Sequence, residues 1–192
     1  MGAVSVGRCL IIGVTAALSL YACLVGSLLF MAGTSCGAEP DLVALRHLYA
    51  QAVQTEEAAR QFHATLKTYT GANATVLAYR GVAEALQARY AWSPLAKLRA
   101  VRGADKLFSR AVAIDVENIE IRFLRFTVEM SVPHYLGFSQ HLAEDRTRIL
   151  RAARHYPDLG LDPQSLMLIR DFMLRYGNCT EEEARMLRGL VP

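Results

Sequence analysis

The stretch Ala104-Asp105-Lys106-Leu107-Phe108-Ser109-Arg110-Ala111-Val112-Ala113-Ile114-Asp115 decides the fold. Ala104, Phe108 and Ala111 fall at spacings of four and three, which is one face of an α-helix. The small residues Ala104 and Ala111 there let a second, antiparallel helix approach closely. Upstream, Ser93-Pro94 pairs a capping hydroxyl with proline at the first helical position. The helix is therefore expected from Pro94 to about Ile114, with Gly103 as a point where it would bend. Asp115–Asn118 reads as a short turn.

Working outward, the same signals recur. Leu42, Leu45, Leu48, Tyr49, Ala52 and Val53 form one apolar helical face. Thr55 caps a second helix, whose first turn carries Glu56 and Glu57 against the positive end of its dipole. That helix stops near Gly71, and Asn73 caps a third that reaches Tyr90. Beyond the turn, Ile119–Met130 is a fifth helix, ended by Val132-Pro133. His134–Ser139 is irregular or a short helical turn. Gln140–His155 is a sixth helix, and Tyr156–Leu161 is a loop. Asp162-Pro163 opens a seventh to Tyr176, closed by Gly177-Asn178. Thr180-x-x-Glu183 is a capping box for a short last helix. The Ile119–Val128 stretch is rich in β-branched and aromatic residues. Glu120, Arg122, Arg125 and Glu129 break the alternation a strand needs, and no strand is expected.

The front of the chain has a different character. The protein has 192 residues, of which 53% are apolar and 20% charged, and Cys9–Ala32 contains no charge at all. That run is long enough to cross a bilayer, which takes about 20 apolar residues. Arg8 and the amino terminus supply positive charge on its cytoplasmic side. Residues 1–38 read either as a signal peptide cut after Ala38, at the small-x-small site Cys36-Gly37-Ala38, or as an uncleaved anchor. Lipoprotein processing at Cys36 is disfavoured, because Gly-Thr-Ser precedes it without the expected leucine. Each alternative exports 39–192 to the cell envelope, as a periplasmic, membrane-anchored or secreted body. That body carries 20 Lys and Arg (21 less Arg8) against 18 Asp and Glu, a net charge of about +2. A nucleic-acid binder shows a clustered basic surface and a strong charge excess, and the body is read as showing neither. Cys179 is the single cysteine of the body, so no internal disulfide framework is available.

A weak internal repeat links these helices. Ala58-x-x-x-Phe62 leads to a helix bearing Tyr79-Arg80, and Ala104-x-x-x-Phe108 leads to one bearing Leu124-Arg125. The Ala104–Asp115 segment resembles the second helix of a tetratricopeptide repeat, with Ala104, Phe108 and Ala111 at the matching positions. Asp115-Val116-Glu117-Asn118 resembles the turn of that family, with Val116 in place of its proline. Gly81 resembles the close-contact glycine of a first helix. Arg89–Val101 lengthens the unit and reads as an insertion. The match spans about residues 57–125, and the whole body also resembles a class of uncharacterised exported bacterial helical proteins. The resemblance implies an all-α fold of stacked, irregular antiparallel helical hairpins after one N-terminal apolar helix. It further implies binding of a protein or peptide rather than catalysis.

Three groups of residues compete for a functional role. Arg122 and Arg125, three apart, share a helix face and are suited to clamping a carboxylate. The plainer alternative pairs them with Glu120, Glu129 or a carboxylate on a neighbouring helix. Arg80, at the repeat position of Arg125, assigns Arg125 to structure and leaves Arg122 as the candidate partner contact. His141, Glu144 and Asp145 offer metal ligands on one face. Zinc needs three or four converging ligands, no second cluster is evident, and neither metal nor cofactor is expected. Trp92 reads first as a packing plug between hairpins and second as an exposed anchor for a partner. Asn73-Ala74-Thr75 and Asn178-Cys179-Thr180 match the glycosylation pattern but read as a helix cap and a helix stop. The leading expectation is an exported or membrane-tethered scaffold binding a protein or peptide, with no nucleic acid. An enzyme built on His141, Glu144 and Asp145, or a structural accessory of a membrane assembly, are the alternatives.

Overall fold

A computed structural model describes residues 39–155 and 159–190. The chain separates between Ala38 and Glu39 into two units, and the described residues all belong to the second. The apolar run Cys9–Ala32 and its expected helix lie outside them, as does part of the Tyr156–Leu161 loop. Among the described residues the fold is all-helical. In chain order the α-helices are α1 Leu42–Ala52, α2 Glu56–Leu66, α3 Ala74–Tyr90, α4 Pro94–Ile114, α5 Ile119–Ser131, α6 Leu142–Ala153, α7 Pro163–Tyr176 and α8 Glu181–Arg188. A 3₁₀ turn, His134–Leu136, sits between α5 and α6. No described helix is long and apolar enough to cross a membrane.

The helix starts follow from their caps. A free helix end leaves backbone N–H groups without partners, and a short polar side chain just before it accepts from them. Asp41, Thr55, Asn73, Ser93, Asn118, Asp162 and Thr180 all do so. At Thr180 the capping box closes in both directions, with Glu183 accepting from the Thr180 backbone at 2.8 Å. Only α6 lacks a side-chain cap from its own preceding residue, His141. Helix α4 continues through Gly103 from Pro94 to Ile114.

Two apolar clusters hold these helices. In the first, Leu45, Phe62, Leu66, Leu77, Val82, Ala104, Phe108 and Ala111 from α1–α4 meet Ile121 and Leu124 of α5. In the second, Ile149, Leu166, Ile169, Met173 and Leu187 from α6–α8 meet Ile119, Phe123 and Phe126 of α5. Helix α5 is thus shared, and every residue from Ile119 to Phe126 is buried. Helix α3 is the other central element. It touches α1, α2, α4 and α5, which explains why Ala74–Tyr79 is buried without interruption.

The α3–α4 contact is close because Gly81 has no side chain. A Cβ there would lie 3.2 Å from the Phe108 ring, and one on Gly103 would face Glu84 at 3.9 Å. Partners that run 81 to 108 and 84 to 103 mark the two helices as antiparallel at this contact. Alanine at Gly81 would gain helix propensity but press on Phe108. A larger side chain has no room. Gly81→Leu, Ala104→Leu and Ala111→Leu are each expected to destabilise the body by about 1–3 kcal/mol through overpacking. Chemical denaturation of each variant measures this, and parent-like stability in all three would contradict close α3–α4 packing.

Candidate functional site

The most concentrated chemistry lies along α5. A helix buried on both faces has no water to solvate Glu120, Arg122, Arg125 and Glu129, which are between 1% and 5% exposed. Unpaired, each would cost several kcal/mol. Each is instead paired with a group on a neighbouring element.

Asp145 of α6, wholly buried, is the hub for the arginines. Arg125 donates to it from Nε at 2.7 Å and from Nη2 at 2.6 Å, a bidentate fork. Arg122 donates from Nη1 to Asp145 at 2.9 Å and to Glu144 at 2.8 Å, and from Nε to the Val116 carbonyl at 2.9 Å. Burial alone would push the Glu144 carboxyl up. The charge and hydrogen bond of Arg122, with the charges of Arg125 and Arg148, outweigh it and hold Glu144 below the usual carboxylate range. Burial likewise opposes the charge on Arg125, but the Asp145 contacts keep its guanidinium above its ordinary value.

Glu120 faces the other core. Arg46 of α1 forks onto it at 2.8 and 2.7 Å, and the Tyr79 hydroxyl of α3 donates to it at 2.6 Å. Burial and the Glu120 charge push the Tyr79 phenol far up, so it remains a donor. Arg46 reaches on to Asp162, the cap of α7, at 2.9 Å. At the far end, Glu129 accepts from the His141 backbone at 2.9 Å, and the His141 ring Nδ1 lies 2.6 Å from its other oxygen. Glu129 therefore ties down the residue before α6, which has no cap of its own.

These positions answer the expectations one by one. The plainer alternative for the arginine pair holds in one form, since their partner is a carboxylate on a neighbouring helix. Neither Glu120 nor Glu129 serves. Arg122, expected to be the accessible member, is the more buried of the two and has no open face for a partner. Arg80 does not act like Arg125, because it donates to the Tyr69 carbonyl at 2.7 Å. His141, Glu144 and Asp145 do not converge, as the first turns to Glu129 and the others to the arginines. Among the described residues no cluster of three potential metal ligands occurs. Trp92 is not a plug between hairpins. It is 98% exposed, because the Arg89–Val101 insertion forms the tip where α3 turns into α4. Arg46 and Tyr79 were not anticipated, since nothing in their local spacing marks them.

The described surface has little enclosed space. A narrow groove between α4 and α5, lined by Val101, Val128, Val132 and Phe138 among others, holds about 10 Å³. A cleft of about 260 Å³ opens beside Arg146, Arg151, Arg154 and Glu183. Both fall below the roughly 300–1,000 Å³ usual for small-molecule pockets. Burial pushes the Cys179 thiol up against the opposing charge of Arg146. Comparison with protein-family models, curated proteins and solved structures finds no match to the chain.

Two predictions follow from the ion network. Arg125→Ala or Asp145→Ala strands a buried charge and is expected to cost about 3–5 kcal/mol in urea unfolding, whereas a double Arg125→Met/Asp145→Leu change costs less than either. Single changes that leave stability within about 0.5 kcal/mol would place the pair in solvent. The second concerns acid. Glu144 is held low, and so is Asp162, where burial is outweighed by Ser165 hydrogen bonds and the Arg46 charge. A carboxyl held low when folded stabilises above its unfolded pKa, near 4, and loses that contribution as pH falls through the folded value. The melting temperature should be flat from neutral pH to about 5 and fall steeply below about 4. Glu144→Gln should flatten part of that fall. A parent melting temperature unchanged to about pH 2.5 would contradict it.

Proposed function

We propose that this chain is an exported or membrane-tethered helical adaptor, built from irregular tetratricopeptide-like hairpins, which holds a protein or peptide partner in the cell envelope. The observation that carries the reading is a run of exposed residues beside the α4–α5 groove. Pro133–Gly137 is exposed throughout, with Tyr135 at 86%, Leu136 at 40% and neighbouring Met130 at 39%. The run lies between Val132 and Phe138, which line the groove. Exposed aromatic side chains grouped with aliphatic ones are characteristic of protein contact surfaces. Small hollows and buried, fully paired charges favour recognition on a surface over chemistry in a pocket. The close glycine-mediated pairing of α3 with α4 supports the hairpin part of the reading.

The test is a photo-crosslinking residue placed in the full chain at Tyr135, and separately at Glu182 on α8 as an exposed control. A discrete crosslinked product at Tyr135, absent at Glu182 and lost on Leu136→Asp, is expected. Identical patterns at both sites would refute an adaptor surface there.

A further inference from the structure

We propose that the outer face of α4, headed by Trp92, is a binding surface for an anionic lipid bilayer. The face is a single helical row. Leu95, Arg99, Arg102, Lys106 and Arg110 follow at spacings of four, three, four and four, directly opposite the buried Val101, Ala104, Phe108 and Ala111. All five are exposed, Leu95 at 64%. Trp92 extends the row by one step at the α3–α4 tip, and it is the only tryptophan in the chain.

A solvated helix face normally mixes both signs of charge. This one carries cations alone, and none forms a salt bridge among the described residues. Residues 89–110 hold six basic side chains and one acid, Asp105. The rest of the body holds 14 basic (20 less six) and 17 acidic (18 less Asp105). The near-neutral pooled charge therefore conceals a basic strip, which corrects the impression of an unclustered surface.

A straight cationic row ending in an exposed Trp and Leu fits a bilayer surface. The basic heads meet anionic headgroups while their stems lie along apolar material. Tryptophan prefers the interfacial depth. At the other end of the row, burial pushes the Tyr69 phenol up against the opposing charge of Arg110, and the Tyr69 hydroxyl donates to Glu39. The inference rests on the membrane-proximal part of the proposed function, not on its protein partner.

The sole tryptophan provides the probe. The full chain is mixed with vesicles of phosphatidylcholine alone, or with added phosphatidylglycerol, and each set is also prepared with brominated acyl chains. Flotation with the neutral vesicles reports the apolar segment. Trp92 emission reports α4. With anionic vesicles the emission is expected to shift to the blue and to be quenched by bromine at least two-fold more than with neutral ones. About 0.5 M salt should remove that difference by screening. The triple variant Arg99→Glu, Arg102→Glu, Lys106→Glu should remove it too while keeping the parent melting temperature. Anionic quenching without neutral flotation supports the α4 surface and counts against the anchor. Flotation with both vesicle types and equal Trp92 quenching overturns the proposal. So does a Trp92 response to duplex DNA but not to anionic vesicles.

Discussion

The fold depends on making α5 acceptable to two apolar cores at once. Ile121 and Leu124 belong to one core, and Ile119, Phe123 and Phe126 to the other. Such a helix leaves no solvated side for its four charges. The protein resolves this by pairing every one of them with a group on a neighbouring element. Glu120 goes to α1 and α3, Arg122 and Arg125 to α6, and Glu129 to the start of α6. A buried pair adds little net stability, because desolvation offsets attraction, but breaking one is costly. The network therefore fixes where α1, α3 and α6 sit against α5, while the apolar clusters supply most of the free energy of packing. Aromatic contacts extend the second core outward, with Phe172 edge-on to both Phe123 and Phe126.

The helices were legible because their determinants are local. A cap such as Ser93-Pro94 or Thr180-x-x-Glu183 acts within four residues, and the Ala104, Phe108, Ala111 face repeats within two turns. The ends were less legible, and α6 came out shorter than expected because its start is fixed by Glu129 from another helix. That the two arginines pair with a carboxylate on a neighbouring helix was legible, but not which carboxylate. Arg46 meets Glu120 across 74 residues, and Asp145 meets Arg122 across 23. No local spacing encodes such pairings, so Asp145 was grouped with His141 and Glu144, and Arg122 stood as the candidate partner contact. For Trp92 it was the packing-plug reading that failed, and the exposed alternative that fits. Aromatic residues are usually buried, and only the length of the inserted tip shows that this one has nothing to pack against.

What is left exposed shapes the functional picture. The ionisable groups that draw attention in the sequence hold α5 in place. The hollows are too small to enclose a usual ligand, and the thiol is raised by burial. The unspent features are two surfaces. One is the Tyr135–Leu136 run beside the α4–α5 groove, and the other is the basic row of α4 with Trp92.

Whether α5 truly couples the two cores is most directly tested by native-state hydrogen exchange on the parent and on Phe123→Ala. Phe123 packs only in the second core, and its truncation should cost about 3–5 kcal/mol. If α5 is the shared wall, amide protection should fall by similar free energies in α7, which contacts the lost ring through Phe172, and in α3, which lies in the first core. Protection that falls in α7 while α3 keeps its parent values would show two independent cores and would contradict the account.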